Sequence, residues 1–254
     1  MLALTLFIFI IGLFLGSFLL VVADRSGRKM SFIRGRSKCE SCGHMLSWYE
    51  LVPVMSFLLQ SGRCRHCKAQ LSMWYPLSEI LTGLVLAIMF VLTFQDNMII
   101  FILYGTISLC LLTITFSDLK HEIIPFPIVF VATIATLVLL LLGSHTEILT
   151  HILAGLGAGL FFLVIFLVTK GRGMGFGDVI YALFMGFLLG FPYILLGLYL
   201  SFIIGAVISL VLIVLKKKKL HGGTIPFGPF LVLGTFIMMV WGEQIIQLTA
   251  SYFK

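Results

Sequence analysis

The chain has 254 residues, of which 60% are hydrophobic and only 11% charged, and its mean hydropathy is +1.16. A soluble domain carries about a quarter charged residues, so the composition excludes a water-soluble globule and indicates an integral membrane protein. The formal charge of +7 invites a nucleic-acid partner, but its distribution along the chain argues against one.

Apolar runs of about 20 residues cross a bilayer as helices, because only helices and closed barrels satisfy their backbone in hydrocarbon. The runs here are continuous, not alternating, which favours helices over a barrel. In chain order the predicted spans are residues 2–22, 77–94, 98–116, 128–142, 148–169, 179–189, 193–215 and 230–250. The predicted fold is an all-α integral membrane protein of about eight transmembrane helices. The first run has no basic region ahead of it, is long for a signal peptide and is followed by positive charge, so it is expected to stay as a span. Residues 179–189 form the shortest run, interrupted by glycine. Gln95-Asp96-Asn97 and Gly190-Phe191-Pro192 are short enough for tight antiparallel hairpins.

With the N-terminus outside, the inside loops are 23–76, 117–127, 170–178 and 216–229. They hold nine, one, two and four Lys/Arg, sixteen of the seventeen, and only Lys254 lies outside. Basic residues favour the cytosolic side of a membrane protein. The charge therefore reports orientation in the membrane rather than a nucleic-acid partner. Lys216-Lys217-Lys218-Lys219 suits anionic lipid at that surface.

Residues 23–76 are the one stretch of soluble composition, expected as a cytosolic insert between the first span (1–22) and a membrane domain (77–254). It carries Cys39-Glu40-Ser41-Cys42 and Cys64-Arg65-His66-Cys67. Two C-x-x-C pairs at this separation predict a tetrahedral structural zinc site. Disulfides and a redox dithiol are the competing readings, but cytosolic thiols stay reduced, which disfavours disulfides, and so small a segment needs a staple. His44 and His66 are read as bystanders, since four cysteines already close the shell. Trp48, Tyr49, Leu51, Pro53 and Trp74-Tyr75-Pro76 are expected to cap the knuckles and anchor them at the interface. Glu79, just inside the second span, either pairs with an Arg or contributes to a site.

Asp118 ends the third span, and Asp178 follows the glycine-rich stretch Gly171-Arg172-Gly173-Met174-Gly175-Phe176-Gly177. A carboxylate at membrane depth is costly and points to function. Both aspartates fall on the cytosolic side of the predicted topology. Two carboxylates brought together share a proton, so that one activates water while the other polarises a carbonyl. An N-cap is the plain alternative for Asp178. It is a poor one for Asp118, which lies at the unfavourable end of a helix dipole. From the pattern alone, a carboxylate-dependent transporter stands beside catalysis.

The chain resembles the type IV prepilin leader peptidases, membrane aspartic proteases with a G-x-G-D motif. The matching residues are Gly16-Ser17-Phe18 with Arg25, the two C-x-x-C pairs and Tyr75-Pro76-Leu77 with Glu79. They continue with residues 118–125, Gly175-Phe176-Gly177-Asp178 and Ile225-Pro226-Phe227-Gly228-Pro229. The resemblance implies that Asp118 and Asp178 are the catalytic pair, with Gly175, Gly177 and Glu79 supporting substrate or loop. It implies a pilin-like precursor whose short basic leader is cut at the cytosolic face. It also implies N-methylation of the new terminus with S-adenosylmethionine, a step with which the zinc-bearing loop is associated. A non-catalytic pilus-assembly scaffold is the other alternative. Phe126 after Pro125, and Glu40 after Cys39, depart from residues common in the family. Gly155-Leu156-Gly157-Ala158-Gly159 lies inside a span with no strand before it, so it reads as close helix packing rather than a cofactor loop. No S-adenosylmethionine residues are assigned.

Overall fold

A computed structural model describes residues 1–27, 37–94, 97–143, 148–215 and 225–252. Lys216-Lys217-Lys218-Lys219 and Gly222-Gly223 lie outside the described residues. Helices are α1 (Leu2–Gly27), α2 (Met55–Leu59), α3 (Trp74–Thr93), α4 (Met98–His121), α5 (Phe126–Leu142), α6 (Ile148–Val168), α7 (Phe176–Leu189), α8 (Tyr193–Val214) and α9 (Gly228–Tyr252). A short 3-10 turn, Trp48–Leu51, precedes α2. Among the described residues there are two isolated β-bridges and no strand.

Six of these helices, α1, α3, α4, α6, α8 and α9, are long and apolar enough to cross a membrane. The other two predicted spans are shorter helices, α5 with 17 residues and α7 with 14. At 1.5 Å per residue α7 rises roughly 21 Å, against about 30 Å of hydrocarbon. Its surroundings explain the shortness. It touches α5, α6, α8 and α9, and nine of its residues are buried, so protein rather than lipid sets its length. Several helices run past the predicted ends: α1 continues through Asp24 and Arg25, and α4 through Asp118 to His121. Apolarity ends at the headgroups, whereas helical hydrogen bonding continues through them.

The chain divides into two compact units, Met1–Lys120 and His121–Lys254. In the first, α1 and α3 meet through glycine. A Cβ on Gly12 would come 2.6 Å from Gly83 Cα, and one on Gly16 would come 2.7 Å from Glu79 Cα. Without a hydrophobic drive between helices in lipid, such backbone approach is what gives van der Waals contact. Leu20, Ala23, Leu112 and Phe116 form a buried cluster of α1 and α4 residues, with Trp74, Tyr75 and Val85 of α3 against it.

In the second unit, α6 packs on α7 in the same manner. A Cβ on Gly155 would approach Leu183 O at 2.9 Å, one on Gly159 would approach Leu183 Cβ at 3.1 Å, and one on Gly186 would approach Gly155 Cα at 2.7 Å. Gly157, by contrast, faces open space. The glycine run of α6 is a packing seam, as the sequence indicates. On α8 and α9, Ser201 and Gly234 meet, and the rings of Phe162, Phe202, Phe227 and Phe230 adjoin one another.

Candidate functional site

Cys39, Cys42, Cys64 and Cys67 converge, with their sulfurs all within 4.8 Å of one another. The Cys39 and Cys67 sulfurs are 3.9 Å apart. A tetrahedral ion at about 2.3 Å from each thiolate requires sulfurs roughly 3.8 Å apart, so the cluster has the geometry to hold a metal. The two knuckles repeat one another. Cys39 N–H donates to His44 C=O and Gly43 N–H to Cys39 C=O, each at 2.9 Å. In the second knuckle, Cys64 N–H donates to Ala69 C=O at 2.8 Å and Lys68 N–H to Cys64 C=O at 2.9 Å. The residue after each second cysteine is left-handed, Gly43 at φ 71° and Lys68 at φ 61°.

Hydrogen bonds from the Cys42 and Ser41 backbone bring the Cys39 thiol down to about 7. At Cys42 the backbone hydrogen bond of His44 pulls the thiol down, but desolvation and the Cys67 and Cys39 sulfurs outweigh it and raise it to about 11. His44 and His66 stack on each other, with centroids 4.7 Å apart. Neither joins the group of possible ligands. The Arg65 guanidinium lies 5.4 Å over the Tyr49 ring, and Trp48 is 80% exposed.

Glu79 is buried on α3. Its Oε2 accepts the Val54 N–H at 2.7 Å, and its carboxylate also takes the Ser17 hydroxyl of α1. Val54 holds φ 59°, a conformation that a β-branched residue rarely adopts. One carboxylate thus joins the insert, α1 and α3. Nothing in the sequence marks Val54, because a left-handed valine has no compositional signal.

Asp118 is buried one turn before the end of α4. Asp178 lies not ahead of its helix but in the first turn of α7, where Oδ2 accepts the Gly175 N–H at 3.1 Å. Helix α7 therefore starts at Phe176, three residues earlier than hydropathy alone indicates, because the carboxylate satisfies an orphan donor of the first turn. A Cβ on Gly177 would lie 2.9 Å from Ile124 Cβ. Within the second unit, Gly177 therefore lets the segment before α5 pack against the start of α7. One turn beyond Asp178, the Tyr181 hydroxyl lies 2.9 Å from Thr235 Oγ1, which itself donates to Leu231 C=O. Tyr181 is accordingly the donor of the pair.

The family model "Bacterial Peptidase A24 N-terminal domain" matches residues 10–93, and "Type IV leader peptidase family" matches residues 105–210. A Bacillus subtilis protein named prepilin leader peptidase/N-methyltransferase is 30% identical over 242 residues, covering 94% of this chain and 95% of its own. A Pseudomonas aeruginosa protein of the same name is 28% identical over 276 residues, covering 97% and 93%. One from Stutzerimonas stutzeri is 28% identical over 244 residues, covering 93% and 81%.

The chain belongs to the prepilin leader peptidase/N-methyltransferase family. No solved structure matches it. The match to the leader peptidase model includes both Asp118 and Asp178, and the match to the N-terminal model includes all four cysteines. As a member of this family the chain is an enzyme, a membrane aspartic peptidase and methyltransferase built from apolar helices.

Proposed function

We propose that this enzyme removes the short basic leader of pilin-like precursors at the cytosolic membrane face with Asp118 and Asp178, then methylates the new N-terminus. The observation that carries the dyad is that both carboxylates, only 5% and 8% exposed, are set in largely apolar helices within one peptidase-family match. A buried carboxylate in such helices is costly unless it does chemistry. In the proposed cleavage the ionised aspartate takes a proton from water, which attacks the carbonyl of the leader's last residue. The protonated aspartate donates to that carbonyl, and the leaving amine recovers a proton. Gly175 and Gly177 leave the backbone bare on either side of Phe176, ahead of Asp178.

S-adenosylmethionine would supply an electrophilic methyl on its sulfonium; the neutral N-terminal amine would take it as the S–CH3 bond breaks, S-adenosylhomocysteine leaves with the electron pair and the amine's proton passes to solvent. The four thiolates would hold a structural zinc ion in residues 23–76, with residues 77–254 as the membrane peptidase domain. The charge distribution supports a multi-pass inner-membrane protein, N-terminus outside, with the insert in the cytosol and anionic lipid against its basic loops.

Purified enzyme incubated with a pilin precursor tests the reading by mass spectrometry. Asp118→Ala and Asp178→Ala are each expected to abolish leader removal while zinc content is kept. Full cleavage by both variants would sink the dyad and return the transporter and scaffold readings. Methylation is read as one added CH2 on the mature N-terminus, dependent on S-adenosylmethionine.

A further inference from the structure

The insert is not uniform in composition. Residues 37–47 and 60–72, which hold the two knuckles, expose Lys38, Arg63, Arg65 and Lys68, with Glu40 their one acid. Between them, Trp48–Leu59 carries a single charge. That charge, Glu50, is buried, and its Oε2 accepts the Ser47 N–H at 2.9 Å. We propose that Trp48–Leu59 is a lipid-inserted wedge: the 3-10 turn and α2 lie where headgroups meet acyl chains, with the basic knuckles among anionic headgroups. This placement is independent of the peptidase and methyltransferase steps and takes from the proposed topology only the choice of leaflet.

The segment has two faces of opposite chemistry. Glu50, Ser56 and Phe57 line a cavity of about 270 Å³ inside unit 1, together with Ser17 of α1 and Glu79 of α3. That cavity mixes charge, with Arg25 and Lys120 beside Asp24 and Glu79. Met55, Leu58 and Leu59 are not among its walls. At i, i+3 and i+4 they share the other side of α2, where Leu58 and Leu59 are 63% and 79% exposed. A helix face turned to water is polar. This one is wholly apolar, and the exposed Trp48 and Tyr49 precede it.

Depth is the second observation. Val54, at the start of α2, donates its N–H to Glu79 Oε2 at 2.7 Å, and the same carboxylate takes the Ser17 hydroxyl. Glu79 lies a rise of roughly 8 Å along α3 from Trp74, and Ser17 roughly 12 Å along α1 from Arg25. Both helices are long and apolar enough to cross a membrane. Interfacial helices bury their apolar face about 5–10 Å into the boundary of headgroups and acyl chains, a depth of the same order. Val54 holds φ 59°, and such strain persists only where the surroundings over-determine it. Glu79 therefore fixes the level of the segment.

The third is the chemistry of what can cover this face. A soluble partner has no access at that depth, whereas acyl chains cover Met55, Leu58 and Leu59 and anionic headgroups pair with the knuckle cations. Lipid also suits Trp48 and Tyr49, whose amphipathic rings favour the interface.

The test uses the full chain in nanodiscs of phosphatidylethanolamine and phosphatidylglycerol, with one tryptophan as reporter. The chain's tryptophans are Trp48, Trp74 and Trp241. Trp74→Phe with Trp241→Phe leaves Trp48 alone, and adding Trp48→Phe with Leu59→Trp moves the reporter to α2. Phosphatidylcholine brominated high on its acyl chains is expected to quench each reporter at least about twofold more than phosphatidylcholine brominated near the chain ends. Brominated lipid occupies both leaflets, so an insert on the opposite side gives the same quenching, and failure of the wedge is distinct from failure of the topology. Quenching by acrylamide with none from lipid, at both reporters, would overturn the wedge, as would quenching no stronger from the shallow bromines. Shielding from lipid and acrylamide alike would also overturn it and assign the face to protein, a second copy being recognised by the mass of the particle. If either reporter chain melts below the wild type, the other decides.

Discussion

At Gly177 a single missing methyl allows two segments to meet. An alanine there would place its Cβ 2.9 Å from Ile124 Cβ, an atom fixed to the backbone and unable to rotate away. Overpacking of this kind costs about 1–3 kcal/mol. Gly177→Ala is therefore expected to lower the melting temperature in detergent and to slow leader cleavage, and Ile124→Gly in the same chain, which removes that Cβ, should restore part of both. A double-mutant cycle showing no coupling would remove Ile124 from the explanation. For the aspartates, replacement of either by Asn should reduce cleavage by at least about a thousandfold, since members of a catalytic unit fail together. Precursor turnover in single and double variants checks this, and a double variant no worse than either single is the signature of a pair. The sequence makes Asp178 visible through its cost, and the G-x-G-D spacing makes Gly177 visible too. Ile124 is not visible, because nothing local says which side chain fills the space a glycine leaves.

Among helices, the same residue type has opposite roles at different positions. Gly16 on α1 leaves room for the α3 backbone at Glu79, so Gly16→Val should separate α1 from α3 and disturb the Glu79 contacts. The expected loss is about 2 kcal/mol or more, at the upper side of overpacking costs. Gly157 meets nothing within 4 Å. Gly157→Ala should be neutral or slightly stabilising, because alanine is about 1 kcal/mol better than glycine in a helix. Thermal unfolding of the two variants in one detergent compares them directly, and equal destabilisation would contradict the assigned faces. The four-residue spacing of Gly155 and Gly159 puts them on one side of α6, a relation open to sequence reading. That α7 is their partner is not, since any helix with a smooth face would serve. Hydropathy likewise located α7 but not its first turn, where a carboxylate and a backbone N–H extend the helix beyond its apolar residues.

For the molecule as a whole, the proposed zinc ligation by the four cysteines has a pH dependence that tests it. A metal ion takes thiolates, so binding releases the protons that the free thiols hold. Cys42, raised to about 11, is protonated throughout the neutral range and contributes a tenfold loss of affinity for each unit the pH falls. Cys39, brought down to about 7, is a thiolate above that value and adds a second tenfold step only below it. Zinc affinity measured by competition with a chelator should therefore fall as the pH is lowered, and more steeply below about 7. A flat profile would count against thiolate ligation. Removing the metal should also lower the melting temperature of the purified enzyme, because a segment this small lacks a core of its own.

What the residues alone specify is the membrane class, the order of the helices, the two cysteine pairs able to hold a metal and the two costly aspartates. Each of these is written in local chemistry: a run of apolar residues, a two-residue spacing between thiols, a charge where charge is expensive. Only the tertiary structure decided that Glu79 links the insert to α1 and α3 through Val54 and Ser17, that α7 is short because protein surrounds it, and that unit 1 encloses a cavity of mixed charge. These depend on residues far apart in the chain, and a glycine or a left-handed valine shows its purpose only when the atoms it admits or addresses are in place.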